Sequence, residues 1–279
     1  MTASVAHAQT SISLGFRAGG NWATRAGDDP EYKPYTGSST GTVTARSSSD
    51  YTRSGLLAPQ FGAVLDVRFG KLALQPALLF TQKGVEQQMT VNSSFTYSYN
   101  GFPSSVQTIK ESMHSISRPN YLEIPLNLVY TTGTDHGFQL FAGPYMAFGV
   151  GGRSELEYEG SSSSNGSSSS SSNSNGYYSY GNTFFAYRDT YPGPQPATFN
   201  NNTRATPFEA SSGAYIARRF DAGVNAGIGY RFSALQVQLG YGLGLVNQQA
   251  EKAPGFRDEM PAYYQRVAQL TGTYFFKVK

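Results

Sequence analysis

Asp221-Ala-Gly-Val-Asn-Ala-Gly-Ile-Gly-Tyr-Arg-Phe-Ser-Ala-Leu-Gln-Val-Gln-Leu-Gly-Tyr-Gly-Leu-Gly-Leu245 is the stretch that decides the fold. In an extended chain, Val224, Ala226, Ile228, Tyr230 and Phe232 share one side, and Asp221, Asn225, Gly227, Gly229 and Arg231 share the other. After Ser233-Ala234 the alternation resumes: Leu235, Val237, Leu239, Tyr241, Leu243 and Leu245 oppose Gln236, Gln238, Gly240, Gly242 and Gly244. Two period-2 runs joined by two residues make a β-hairpin. Each of its strands has one apolar face and one face of Gly, Gln, Asn and a few charges.

The same pattern appears six more times. Ile12, Leu14, Phe16, Ala18 and Trp22 oppose Ser13, Gly15, Arg17, Gly19 and Asn21. Phe61, Ala63, Leu65, Val67 and Phe69 oppose Gln60, Gly62, Asp66 and Arg68. Leu72, Leu74, Leu78 and Phe80 oppose Gln75, Thr81 and Lys83, and Leu122, Ile124, Leu126, Leu128 and Tyr130 oppose Glu123 and Asn127. Phe138, Leu140, Ala142, Met146 and Phe148 oppose Gln139, Gly143, Tyr145 and Gly149. Ala268, Leu270, Tyr274 and Phe276 oppose Gln269, Thr271 and Thr273. Each of the eight segments is near or above the roughly 9–11 residues that a tilted strand needs to cross a bilayer. Their connections alternate between long (24–59, 85–119, 151–219, 246–264) and short (Gly70, Thr131–Gly137, Ser233-Ala234). That alternation fits an all-β, eight-stranded, antiparallel up-and-down transmembrane barrel with long extracellular loops.

Alternation alone also suits a soluble lipocalin-like barrel with its apolar face inward. The polar face here suits a crowded lumen better than a solvated exterior. Aromatic residues on the apolar face gather in two belts, Phe69, Tyr130, Phe138, Phe232 and Phe276 at the turn side and Trp22, Phe80 and Phe148 at the loop side, as two membrane interfaces select. The expected location is the bacterial outer membrane, with both termini periplasmic. No run of about 18 apolar residues exists to make a spanning helix. Ala6-His-Ala8 has the form of a signal-peptidase site, so residues 1–8 read as a signal-peptide remnant and 9–279 as the barrel domain. There is no cysteine, hence no disulfide or thiolate chemistry, and the net charge of +3 leaves no nucleic-acid footprint.

Leu74-Gln-Pro-Ala-Leu-Leu-Phe-Thr-Gln-Lys-Gly84, Tyr121-Leu-Glu-Ile-Pro-Leu126, Ala142-Gly-Pro-Tyr145 and Asp221–Tyr230 resemble the PorT-like outer-membrane β-barrel family of Bacteroidota. The resemblance covers the strands from Ile12 to Phe276 and implies a membrane barrel. Some members of that family are implied in a secretion system of the cell envelope.

No chemistry-bearing motif stands out. Gly240-x-Gly-x-Gly244 has the wrong spacing for a phosphate loop and no following helix pattern, so these glycines read as inward-facing residues of a narrow barrel. His114 lies near Glu111, Ser112 and Ser115, the residue types of a hydrolytic set, in a segment read as a solvated loop; His136 falls in the opposite turn. Neither histidine has a neighbour at metal-ligand spacing, so no metal and no cofactor is expected. Ser161–Ser172 is nearly all serine and reads as a disordered loop tip. Tyr177, Tyr178, Tyr180, Tyr187 and Tyr191 after it form either a loop binding surface or a cap on the barrel. Arg17, Asp66, Arg68, Lys83, Glu123, Asp221 and Arg231 should form a mixed-charge lumen network, with Arg17–Asp66 and Lys83–Glu123 at matching heights. Eight strands leave no diffusion channel. The expected function is therefore non-enzymatic, a surface-interaction or envelope-structural role for a monomer. Its expected partners are membrane lipid, the barrel-assembly machinery and an envelope protein. The alternatives are a lipid-modifying barrel enzyme and a rim that binds a small ligand.

Overall fold

The computed structural model describes residues 10–29, 42–99, 102–133, 136–166, 171–184, 186–187, 216–250 and 261–277. The strands are β1 (Thr10–Gly27), β2 (Thr42–Phe69), β3 (Leu72–Gln82), β4 (Gly84–Tyr99), β5 (Phe102–Thr131), β6 (His136–Gly166), β7 (Ser171–Phe184), β8 (Ala186–Tyr187), β9 (Ile216–Ala217), β10 (Phe220–Phe232), β11 (Leu235–Gly244) and β12 (Tyr263–Lys277). Eight of them close a ring in which every pairing is antiparallel, β1–β2–β3–β5–β6–β10–β11–β12 and back to β1. The turns at the short-loop end are tight. Gly70 (φ 64°) and Ser233 (φ 54°) adopt the left-handed conformation that two-residue hairpins require.

The ring settles which face is inside. Trp22, Phe16, Leu128 and Phe138 are 57%, 53%, 53% and 71% exposed, whereas Asn21, Gln60, Gln75, Asp66 and Asp221 are buried. An apolar exterior around a polar interior belongs in lipid, not water. The aromatic belts lie on that exterior, with Phe80 against Phe61 (5.2 Å between centroids), Phe148 against Phe220 (5.4 Å), Phe138 against Tyr230 (5.1 Å) and Tyr274 against Phe276 (5.1 Å).

Much of what reads as long loop in the sequence is strand. β2 has 28 residues and β6 has 31. At ~3.3 Å per residue these are roughly 90–100 Å long, several times an apolar band ~25 Å tall. Residues 42–56 of β2, all of β4, the first half of β5, the second half of β6 and β7 continue past the ring as a five-stranded antiparallel sheet, β2–β4–β5–β6–β7. β1, β10, β11 and β12 stop near the band, so the sheet rises from half the ring. Ser161–Gly166, expected to be a disordered tip, pairs with both β5 and β7, for example Ser162 with Ile109 and Ser174. Composition misleads here because the preceding residues have already set the register. Each added serine pair gains backbone hydrogen bonds without a new loop-closure cost.

Polarity inverts along these strands. Above the band, Val85, Met89, Val91 and Phe95 of β4 are buried on the side that continues the lumen wall. Gln88 and Asn92 of β4, Lys110 of β5, and Glu157 and Glu159 of β6 are exposed on the outer side. The outer side there is polar, as a water-facing sheet requires. The change comes with irregularities: the β2 register steps by one between Gln60↔Thr81 and Leu56↔Gly84, and β6 carries an extra residue where Asn120↔Gly151 gives way to Tyr121↔Gly149.

Candidate functional site

The lumen holds all seven charged residues picked out from the alternation, and all are buried. They fall into two ionic clusters with Arg17 between them. Toward the short-turn end, Asp66 accepts from Arg231 Nη1 (2.9 Å), Arg68 Nη2 (3.4 Å) and Gln75 Nε2 (2.9 Å). Gln75 is also hydrogen-bonded to Gln236 (3.0 Å), Arg68 donates to Thr131 (3.3 Å), and the Arg231 guanidinium stacks over Phe275 at 4.5 Å. At the long-strand end, Lys83 Nζ lies 3.0 Å from Asp221 Oδ2 and 3.3 Å from Glu123 Oε2, between the rings of Tyr121 (5.0 Å) and Tyr145 (4.9 Å). Tyr145 donates to Asp221 at 3.2 Å.

The expected Arg17–Asp66 pair does not form. The β1–β2 register places Arg17 opposite Gly62 and Asp66 opposite Ser13. Arg17 instead donates to Thr273 Oγ1 and Gln238 Oε1, both at 3.0 Å. The lumen is narrow enough for β2 and β10, which are not neighbours in the ring, to touch. Asp66 therefore meets Arg231 across it, and height on adjacent strands does not choose the partner.

Sequence reading missed the inward aromatics Tyr121, Phe141 and Phe275. Their signal is the lumen glycines. A Cβ on Gly227 or Gly240 would stand 2.6 or 2.9 Å from Phe141 Cζ, and one on Gly15 would stand 2.7 Å from Phe275 Cδ1. Phe141 and Phe275 are seated over neighbours that lack a side chain, and Tyr121 is opposite Gly149 in the register. With the rings in place, cavities among the described lumen residues include two of about 10 Å³, lined in part by Arg17 and Gln238 and by Lys83 and Tyr145. Each has room for roughly one water.

The hydrolytic set around His114 is split. His114 lies on β5, not in a loop, and the strand pleat sends it to the outer face with Ser112 while Glu111 and Ser115 point inward. Its real neighbours come from adjacent strands: Nε2 donates to Glu86 Oε1 at 2.7 Å, and Nδ1 is 3.6 Å from Glu157 Oε2. Ser54 donates to the other oxygen of Glu86 at 3.2 Å, so the serine is bonded to the acid and not to the histidine. The His114 hydrogen bond holds the Glu86 carboxyl below the usual glutamate range. Among the described residues no group of His, Cys, Asp or Glu is arranged to hold a metal.

Of the tyrosines singled out, Tyr177, Tyr178 and Tyr180 are on β7, with Tyr178 opposite Tyr158 and Tyr180 opposite Leu156. Tyr187 joins β8 to β9 by a parallel bridge to Ala217. Tyr191 and residues 1–8 lie outside the described residues.

Residues 7–248 match the family described as "Outer membrane protein beta-barrel domain", and the chain belongs to that family. Its location is therefore the outer membrane. No curated relative matches. Among solved structures, the transport unit of the autotransporter AIDA-I from Escherichia coli aligns at 10% identity and TM-score 0.19, over 99% of this chain and 93% of that one. The P. putida toluene transporter TodX aligns at 9% identity and TM-score 0.18, over 95% and 90%. Likeness this loose carries no functional argument.

Proposed function

We propose that this barrel is a non-enzymatic surface protein, a monomer that holds its exposed five-stranded sheet against a partner in the envelope, as a subunit of a PorT-like envelope or secretion assembly of Bacteroidota. In this reading the short turns and both termini are periplasmic, the sheet is extracellular, and barrel-assembly machinery inserts the chain. The observation that carries it is the contrast between a lumen packed with buried side chains and a large strand extension. Cavities with room for about one water offer no transport route, whereas the extension is folded structure that membrane insertion alone does not need. The splitting of His114 from Glu111 and Ser115 weighs against a lipid-modifying hydrolase.

The test is affinity purification from outer membranes with mass spectrometry, comparing the full chain with a variant in which 86–115 is replaced by a short turn. The expected result is an envelope protein retained by the full chain and lost from the variant, with both still heat-modifiable on gels. Identical co-purifying sets would defeat the reading. Large, steady single-channel conductance in planar bilayers would replace it with transport.

A further inference from the structure

Just beyond the apolar band, Arg118 on β5 and Arg153 on β6 stand directly opposite each other. Both are exposed and both project outward: Arg118 keeps phase with Leu122 on β5, and the extra residue of β6 brings Arg153, opposite it, to the same face as Phe148. Like charges directly opposite across two strands are destabilising. Among the described residues no carboxylate lies within ion-pair distance of either guanidinium. The nearest acids on that face, Glu86 and Glu155, are both opposite Ile116, one pleat farther from the membrane. Glu86 is engaged by His114 and Ser54. Extending the Val85↔Ser117 register by one residue sets Gly84 beside Arg118, with the Leu56 side chain beyond it. Arg219, also exposed, immediately precedes β10, the next strand around the ring, its carbonyl accepting from Gly149 N at 2.8 Å.

We propose that Arg118 and Arg153 form a binding site for the phosphate of a lipid headgroup at the rim from which the long strands rise. The height is right. Arg118 is four residues above Leu122 in the last apolar row, about 10 Å along the normal for a strand tilted by ~40°. A long arginine side chain reaches from there back into the headgroup layer. The chemistry is right as well. Two planar guanidinium forks can each make paired hydrogen bonds to one phosphate, which turns their mutual repulsion into shared attraction. Directly below, Leu122, Phe148 and Val150 present apolar surface for the acyl chains of the same lipid. The site depends on the membrane placement of the band and is independent of any protein partner of the exposed sheet.

The experiment uses full-length protein in dodecyl maltoside micelles, which contain no phosphate, with phosphatidic acid titrated in, and compares the native chain with Arg118→Gln/Arg153→Gln. Phosphatidic acid should raise the native Tm, and the double variant should lose roughly 2–4 °C of that gain per arginine. Without lipid the variant should be at least as stable as the native chain, since a repulsive pair has been removed. An equal lipid-dependent gain in both proteins would overturn the proposal. So would a variant that melts lower in lipid-free micelles, which would make the arginines structural. Equal stabilisation by inorganic phosphate at the same concentration would assign the site to free anion and reject the lipid.

Discussion

Leu126 and Met89 are apolar residues in one continuous antiparallel sheet, yet Leu126 points out of the ring and is 42% exposed, while Met89 points inward and is 4% exposed. Below the rim the outside is lipid, so apolar side chains go out and Asp66, Gln75 and Lys83 come in. Above the rim the outside is water, and the same period of two serves the opposite assignment. The lesson is that alternation reports a difference between two faces, and only the surroundings say which face is which. The membrane boundary is therefore legible in the chain as the level at which the alternation changes sense.

Removing a lumen charge should give the largest effect. Asp66→Ala leaves Arg231 and Arg68 without their carboxylate in a buried site and should cost about 3–5 kcal/mol in urea unfolding from lipid. A loss no larger than that of a surface substitution would mean the lower cluster is hydrated. Next comes the outer face on either side of the rim. Leu126→Arg, at mid-band, should cost about 2–4 kcal/mol, whereas Thr90→Arg, outward on β4, should stay within about 0.5 kcal/mol. Comparable costs at the two positions would erase the inversion. On the inner face above the rim, Met89→Ala should cost about 2 kcal/mol through lost packing, measurable in the same assay.

A smaller effect is expected at the end of the last strand. Phe276 faces outward beside Tyr274, and Phe276→Ala should lower the amount assembled in cells more than it lowers stability after refolding in vitro. Equal losses in the two assays would leave only a packing role. The smallest effect concerns Glu86. Because its folded-state pKa is depressed, its stabilising contribution is fully present above the ordinary glutamate value and fades as pH falls through the lowered one. His114→Gln should move the Glu86 carboxyl titration, followed by NMR, back up toward the ordinary value. An unmoved titration would show that the β4–β5 contact does not persist in solution.

The barrel was legible because lipid outside and a narrow lumen inside make opposite demands on successive residues, so runs such as Leu122–Tyr130 and Leu235–Leu245 are unambiguous. The rising sheet was not, because Ser47-Ser-Ser49 and Ser161–Ser164 can face either way with almost equal ease. A signal did exist in β4, where Val85, Met89, Val91, Phe95 and Tyr97 all sit on odd positions. The charged lumen residues were legible as a set, since each interrupts an otherwise uncharged face. Their pairing was legible only in part: Lys83 and Glu123, set at matching heights, do meet, whereas Arg17 and Asp66 do not. Asp66 meets Arg231 across the lumen, and no pattern within β2 or β10 encodes which opposite walls touch.

The continuity of β2, β5 and β6 through the rim also has a mechanical consequence. Each runs as one backbone from the short-turn end to the exposed sheet, with bulges but no hinge. A pull on the sheet along the strand axes would load dozens of backbone hydrogen bonds in shear at once, so that none fails before its neighbours share the force. Such a lever transmits tension straight into the barrel wall. Under load, a partner gripping the sheet should let go, or the barrel should shift in its bilayer, before the strands themselves come apart.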